Sequence, residues 1–171
     1  MGVTDHKEAA ARQVQSLRAA VLTVSDTRTE ASDASGAAIR DLVTRAGHQV
    51  VHYRILKDEP LAVRAEVARL AGEEAADFIV TTGGTGISPR DQTIEAVRPL
   101  FQKELEGFGD LFRMLSFQEV GSAALLSRAT AGTVGRCLVF CLPGSEAAVR
   151  LALEKLVLPE IRHLIAQLRK A

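Results

Sequence analysis

The chain has 171 residues, enough for one domain, and its 47% hydrophobic and 25% charged residues are typical of a globular protein and exclude a disordered one. Lys+Arg and Asp+Glu number 21 each, so the formal charge is zero. The sequence therefore lacks the basic excess of a nucleic-acid-binding protein, and any anion site must be local. No apolar run approaches the roughly 20 residues of a transmembrane helix, and the start lacks the apolar core of a signal peptide. We expect a cytoplasmic protein with no membrane partner.

The first 17 residues are polar and alanine-rich, and we predict an N-terminal extension over 1–17 before a single domain over 18–171. Strand and helix patterns then alternate. Strands are predicted over 19–25, 48–56 and 77–82, and helices over 35–47, 60–72 and 93–101. Gly47 is a natural helix C-cap, Pro60 suits a first helical turn, and Thr93 is predicted as an N-cap.

The middle of the chain has a different composition. Residues 107–127 predict two helical pieces, and four of the six phenylalanines lie between 101 and 117. Phe108, Leu111, Phe112 and Leu115 have helical spacing, which fits either a core face or a subunit interface.

The last third of the chain predicts two strands and two helices. Strands over 130–134 and 136–142 are expected to pair across Gly135. Amphipathic helices are predicted over 145–157 and 159–170, separated by Pro159.

This alternation predicts an α/β fold with a mostly parallel central sheet and helices on both faces. Such sheets bind ligands outside the carboxyl ends of their strands. Each of four predicted strands ends in polar or glycine-rich sequence: Ser25-Asp26, Lys57-Asp58-Glu59, TTGGTGISPRD (81–91) and Pro143-Gly144-Ser145. Four such ends together favour a ligand site at this edge.

The glycine-rich segment 81–91 matches neither a Walker A sequence nor a dinucleotide-binding fingerprint. Glycines let backbone N–H groups approach an anion closely, and the helix start near Thr93 adds to this effect. Arg90 is able to form a bidentate pair with a phosphate. The spacing leaves two interpretations open, a phosphate-binding loop and a purely structural turn.

Two carboxylates follow these strands. Asp58 and Asp91 suit a magnesium ion that carries a nucleotide, since such an ion takes one or two carboxylates and fills its shell with phosphate oxygens and water. The alternative for both is helix capping. Asp26 also fits ordinary turn chemistry.

Neither histidines nor cysteines indicate a catalytic or metal site. The four histidines have no metal-binding spacing. Cys137 and Cys141 share one face of a predicted strand, too far apart for a relaxed disulfide, and are expected to be small buried residues.

Four segments resemble the MoaB/MogA family of molybdenum cofactor biosynthesis proteins. They are VLTVSDTR (21–28), TTGGTGISPRDQT (81–93), EGFGDLFRMLSFQEVGSAALLSRATAG (106–132) and FCLPGS (140–145). The third resembles the MoaB branch more than the MogA branch. The resemblance implies a three-layer α/β domain assembled as a trimer or as a hexamer (a dimer of trimers). It also implies a molybdopterin adenylyltransferase, which converts Mg-ATP and molybdopterin into adenylylated molybdopterin and pyrophosphate.

The resemblance also implies roles for individual residues. Asp58 and Asp91 are the implied catalytic residues, which bind Mg²⁺ or orient the reacting phosphates. The implied substrate- and phosphate-binding residues are Ser25, Asp26, Thr82, Gly83, Gly84, Thr85, Gly86, Arg90, Ser127, Arg128, Pro143, Gly144 and Ser145.

Three functions compete. Some MoaB-type proteins are thought to lack transferase activity and to have lost acidic residues at these loops, whereas this chain keeps Asp58, Arg90 and Asp91. Retention of these residues favours an enzyme over a protein that only holds molybdopterin for later enzymes. The third option is a relative of the competence-damage type that binds another nucleotide, and the segment FRMLSF argues against it.

Overall fold

The computed structural model describes residues 16–73 and 75–170. Most of the predicted extension over 1–17 lies outside the described residues. Leu17 is described and is buried, and its backbone N–H donates to Nδ1 of His48 at 3.1 Å. This contact joins the start of the first strand to the start of the second.

Six strands form one sheet in the order β2-β1-β3-β6-β5-β4. Their bounds are Arg18–Val24 (β1), Gln49–Leu56 (β2), Phe78–Thr82 (β3), Lys103–Glu104 (β4), Thr130–Val134 (β5) and Cys137–Leu142 (β6). β1, β2, β3 and β6 run parallel to one another, whereas β5 is antiparallel to both β6 and β4. The mostly parallel sheet is as predicted.

The described helices cover both faces of this sheet. The α-helices are Ala34–Arg45 (α1), Pro60–Gly72 (α2), Thr93–Val97 (α3), Glu106–Val120 (α4), Glu146–Ala152 (α5) and Leu158–Leu168 (α6). Short 3-10 turns occupy Glu30–Ser32, Arg98–Leu100 and Gly121–Leu126, and a π-helical turn occupies Leu153–Val157. No helix in the described part of the chain is long and apolar enough to cross a membrane.

Period-two alternation along the strands divides the core into two layers. Ala19 and Val21 of β1 face one side, where they pack with α1, α4, α5 and α6. Ala20 and Leu22 face the other side, where they pack with α2 and α3. Every residue of β3 and β6 is buried, as expected for central strands covered on both faces. The three-layer prediction is confirmed.

Cys137 and Cys141 lie on the α2 side of β6, where both are free thiols buried in the core. Burial raises the pKa of each thiol to about 12. Both cysteines are therefore packing residues at neutral pH, as expected from the sequence.

The hairpin predicted across Gly135 is confirmed, because β5 and β6 pair on either side of this residue and its φ is +58°. Strand β4 was not predicted. It has only two residues, both polar and exposed, so the sequence contains no alternation of apolar and polar residues that would predict a strand here.

Two helix predictions were wrong in detail. Thr93 is the first residue of α3 rather than its N-cap, and Gln92 holds the cap position. α3 ends at Val97 because Pro99 has no N–H to continue the helix. The separation at Pro159 is also wrong: α5, the π-helical turn and α6 form one uninterrupted helical run. Pro159 has no N–H to donate to the preceding turn, and the π-helical turn lies where that bond is missing.

The segment 107–127 divides as predicted into α4 and a 3-10 turn, but α4 has only part of its apolar face in the core. Phe108 and Phe112 are buried, and the ring of Phe108 meets that of Phe140 edge-on at 5.3 Å. Leu111 remains 47% exposed. Together with neighbouring residues it forms what we call the exposed apolar surface: Leu111, Met114, Phe117, Val120, Leu125 and Leu126.

Gly132 of β5 provides a test of this packing. A Cβ at this position would lie 2.3 Å from the Phe101 ring, so Gly132→Ala is expected to lower the free energy of unfolding by about 1–3 kcal/mol. Gly107→Ala in α4 is the control, since its Cβ would meet nothing within 4 Å. Urea denaturation measures both variants, and equal stability of the two would show that the Phe101 contact is not a constraint.

Candidate functional site

The carboxyl ends of β1, β2, β3 and β6 meet at one edge of the sheet. Hydrogen bonds join the loops beyond them: Ser25 N–H donates to the Leu56 carbonyl at 2.8 Å, and Gly83 N–H donates to the Leu142 carbonyl at 3.0 Å. The Thr82 hydroxyl donates to the Pro143 carbonyl at 2.8 Å. All four predicted strand ends are thus brought together.

The glycines of the segment 81–91 are required by packing. Gly83 and Gly84 have φ of +98° and +66°, a region that residues with a Cβ rarely adopt. A Cβ on Gly83 would lie 2.3 Å from the Val24 carbonyl oxygen, and one on Gly84 would lie 2.2 Å from the Thr93 hydroxyl. The structural-turn interpretation therefore accounts for the identity of these residues.

The same turn leaves backbone donors available. Among the described residues, the N–H groups of Gly84, Thr85 and Gly86 have no hydrogen-bond acceptor. Three successive N–H groups of this kind form a positively polarised concavity that suits an anion. α3 has only five residues, so the free N–H groups, rather than a helix dipole, make this cradle. The turn and phosphate interpretations are compatible.

Two carboxylates flank the cradle. Asp58 lies beside Gly84, where its Oδ1 would be 3.3 Å from a Cβ on that glycine, and Asp91 lies beside Gly86, where its Oδ2 would be 2.6 Å from such an atom. Asp26 completes the group, since its Oδ1 accepts the Asp58 N–H at 3.1 Å. Burial, and then the charges of Asp91 and Asp26, raise the pKa of the Asp58 carboxyl. A cation beside Asp58 would relieve this repulsion.

Helix capping does not explain either carboxylate. Glu59, not Asp58, holds the N-cap position of α2, and no side-chain bond caps that helix. Oδ2 of Asp91 accepts the N–H of Ser88 at 3.0 Å, within the loop. The capping interpretation is wrong for both residues.

The carboxylates suit a magnesium ion that arrives with phosphate ligands. Within residues 16–73 and 75–170, no three His, Cys, Asp or Glu side chains are arranged to hold a metal ion by themselves. Mg²⁺ bound to a nucleotide needs only one or two carboxylates, because phosphate oxygens and waters complete its octahedron. Asp58 and Asp91, with the N–H cradle between them, fit that requirement.

Several side chains predicted to bind phosphate have partners within the protein. Arg90 donates from Nη2 to Oδ2 of Asp26 at 2.5 Å. Arg128 donates to the Gly86 carbonyl at 2.8 Å and pairs with Glu95. The Ser145 hydroxyl caps α5 by accepting the Ala148 N–H at 3.2 Å. These contacts fix the loops around the cradle.

Two further predicted residues, Ser25 and Gly144, lie in the loops beside the cradle, and Ser127 lines a separate cavity. The Ser25 hydroxyl accepts the Arg28 N–H at 3.1 Å, which shapes the first loop. Gly144 packs on Gly83, since its Cβ would be 3.3 Å from the Gly83 Cα. Ser127 and Ser145 line a small cavity of about 170 Å³ between the end of α4 and α5.

The structure adds Arg28 to the residues around the cradle, and sequence reasoning missed it. Its Nη2 donates to the Gly144 carbonyl at 2.7 Å, and its Nη1 donates to the Ser35 hydroxyl at 2.5 Å. Arg28 thus links the loop after β1 with the loop after β6. No spacing rule predicts a contact between residues 116 positions apart.

Asp33 accepts a hydrogen bond from the Arg28 side chain, and sequence reasoning missed this residue too. Its buried carboxylate accepts hydrogen bonds from Thr23 Oγ1 at 2.6 Å, from the Tyr53 hydroxyl at 2.7 Å and from the Gly36 N–H at 3.0 Å. Burial alone would raise its pKa, but these hydrogen bonds hold the pKa of Asp33 below the usual value. The signal was an Asp just before the start of a predicted helix, where Asp is a preferred N-cap residue.

The fold and the site define an α/β domain with an anion cradle and paired carboxylates at the carboxyl edge of a parallel sheet. The model of the family described as "Probable molybdopterin binding domain" matches residues 20–163. Molybdenum cofactor biosynthesis protein B of Bacillus cereus is 48% identical over 171 residues, with 99% of each chain covered. The protein of the same name from Staphylococcus aureus is 54% identical over 159 residues, which cover 91% of this chain and 94% of the relative.

A crystal structure of a molybdenum cofactor biosynthesis protein B superimposes with a TM-score of 0.89 and 48% identity. The superposition covers 92% of this chain and 98% of that one. The chain therefore belongs to the molybdopterin-binding family of molybdenum cofactor biosynthesis proteins.

The raised pKa of Asp58 makes a prediction about stability. The folded state binds this proton more tightly than the unfolded state, so the ionised carboxylate costs stability above the folded pKa. Asp58→Asn is expected to raise the free energy of unfolding at pH 7 by up to about 1 kcal/mol. This gain shrinks as the pH falls through the folded pKa towards the ordinary value of 3.8.

Urea denaturation at pH 7 and pH 4 measures this effect. Asp110→Asn is the matched control, because Asp110 is exposed on α4 and pairs with Arg113. A loss of stability in Asp58→Asn at pH 7 would show that the Asp58 carboxylate makes net favourable contacts, contrary to the expectation.

Proposed function

We propose that this protein is a molybdopterin adenylyltransferase that uses Mg-ATP. Its family and its relatives support a role in molybdenum cofactor biosynthesis. The observation that carries the finer proposal is the N–H cradle of Gly84, Thr85 and Gly86 between two carboxylates. The N–H groups of the cradle suit phosphate oxygens, and the carboxylates of Asp58 and Asp91 suit a magnesium ion bound to those phosphates. The proposed reaction takes place in the cytoplasm.

The proposed reaction joins two phosphates. An oxygen of the terminal phosphate of molybdopterin attacks the α-phosphorus of ATP, the bond from that phosphorus to the bridging oxygen of the β-phosphate breaks, and pyrophosphate leaves. Such a transfer requires in-line positioning and neutralisation of charge, and no covalent nucleophile from the protein. The buried thiols of Cys137 and Cys141 match this, since their raised pKa removes them as nucleophiles.

The residues of the site divide this work. The N–H groups of the cradle hold phosphate oxygens, and Arg28 adds a positive charge near Gly144. Asp58 and Asp91 would hold Mg²⁺, which supplies charge neutralisation at the phosphates when bound. Arg90 is placed to leave Asp26 for a phosphate, because both side chains are well exposed, at 63% and 39%.

The first experiment measures pyrophosphate release from Mg-ATP with and without molybdopterin. Release that depends on the pterin is expected of the wild-type protein. Asp91→Asn is expected to keep the fold and to lower the rate by about 100-fold or more, because the phosphate-bound magnesium ion would lose one of its two carboxylate ligands. Asp110→Asn serves again as the control and is expected to match the wild type. Unchanged turnover in Asp91→Asn would remove Asp91 from the mechanism.

The alternative function is a molybdopterin carrier without turnover. The Arg90–Asp26 pair supports it, since an Arg90 that stays with Asp26 would leave the reacting phosphates without that cation. A carrier requires the cradle but not two carboxylates. Pterin binding by fluorescence titration, without pyrophosphate release, would identify the carrier and reject the transferase.

We also propose a trimer-based assembly, either a trimer or a dimer of trimers. The exposed apolar surface supports it, because Phe117 and Leu125 are 62% and 86% exposed, and large apolar patches on a surface usually mark an interface. Phe117→Glu is expected to lower the mass by light scattering, because it places a charge on this surface.

Leu61→Glu is the control for the assembly experiment, because Leu61 is 81% exposed and lies on α2, away from this surface. It is expected to keep the wild-type mass. A monomeric mass for the wild-type protein would contradict the assembly.

A further inference from the structure

A second polar cavity lies at the opposite end of the sheet from the cradle. Its volume is about 210 Å³, and its lining residues are Arg18, Ala71, Ala76, Asp77, Arg136 and Arg169. Arg18 begins β1, Asp77 precedes β3 and Arg136 precedes β6, so the cavity lies at the amino ends of the parallel strands. β1 has seven residues, which places the two sites about 20 Å apart at about 3.3 Å per residue. We call this second site the arginine cavity.

One buried carboxylate organises the arginine cavity. Asp77 is 6% exposed, and it accepts hydrogen bonds from the Arg18 backbone N–H at 2.7 Å, from Arg18 Nη2 at 3.1 Å and from Arg169 Nη2 at 2.6 Å. Burial alone would raise its pKa, but these bonds and the two positive charges hold the pKa of Asp77 below its usual value. Asp77 therefore remains ionised, and two arginines already share its charge.

Arg136 adds a third guanidinium to this cavity. It is exposed in the turn between β5 and β6, and it makes no hydrogen bond or ion pair with any described residue. The described lining thus carries three positive charges and one negative charge. Guanidinium groups that share a cavity repel one another, and an anion between them converts the repulsion into attraction.

We propose that the arginine cavity binds a phosphate-type dianion. The planar donor fork of arginine matches phosphate oxygens, and three such forks line this cavity. Ala71 and Ala76 also line the cavity, and their small side chains leave room for a ligand. Its volume equals that of about seven waters at about 30 Å³ each, enough for a phosphate group. The dianion is either inorganic phosphate or the phosphate of a small monoester.

Isothermal titration calorimetry on the full chain at low ionic strength tests this proposal. Inorganic phosphate is expected to bind saturably, and Arg136→Gln to weaken that binding at least tenfold. The exposed turn should tolerate this substitution without unfolding. Arg45→Gln is the matched control, since Arg45 is 76% exposed and pairs with Asp41 on α1. It is expected to bind as the wild type does.

Three results would overturn the proposal: no phosphate binding, equal binding in Arg136→Gln, or equal weakening in Arg45→Gln. The second result would assign the phosphate to the cradle instead, since the cradle does not contain Arg136. Titration with glycerol 3-phosphate distinguishes a site for a small phosphate monoester from a site for inorganic phosphate. Binding as tight as that of phosphate indicates a monoester site, and binding at least tenfold weaker indicates a site for the inorganic ion. The outcome is independent of the adenylyltransferase assay.

Discussion

The close packing of the glycine loop against β1 is the constraint on which the site depends. Gly83 lies so near the Val24 carbonyl that no Cβ fits between them, and its N–H is bonded to the end of β6. The loop after β3 is therefore held against the strands on both sides of it. The N–H groups of Gly84, Thr85 and Gly86 have no acceptor among the described residues. The same backbone conformation thus provides both the packing and the N–H cradle.

Around this loop, charged side chains connect the strand ends. Asp26 meets Arg90 across the edge, Arg128 reaches the Gly86 carbonyl, and Arg28 joins the first loop to the last. Each arginine that approaches the cradle contacts an acceptor from another loop. Asp58 and Asp91, by contrast, form no ion pair with a described residue. That imbalance is the electrostatic basis for expecting a metal-bound phosphate there.

The sequence predicted the layers and the ligand edge because both follow from periodicity. Alternation along β1 and helical spacing in α2 specify which faces are buried, and parallel strands necessarily place their ends together. Prediction from the sequence failed for features that depend on contacts between residues distant in the chain or that have no local pattern. The two-residue strand β4 has no pattern, the π-helical turn before Pro159 has no signature, and the Arg28–Gly144 bond joins distant loops. The Asp33 cap had a local signal, which was overlooked within a polar loop.

The packing of the glycines has a consequence for mutational tolerance. Substitutions at Gly83 or Gly84 would disturb the backbone path before they disturb any ligand contact, since the added Cβ collides with Val24 or Thr93. A saturation screen of the segment 81–86 would therefore score folding defects and lost function alike. Robustness here would have to come from compensating changes in neighbouring strands. Sequence variation at this site is accordingly expected among the side chains around the cradle and not among the glycines that form it.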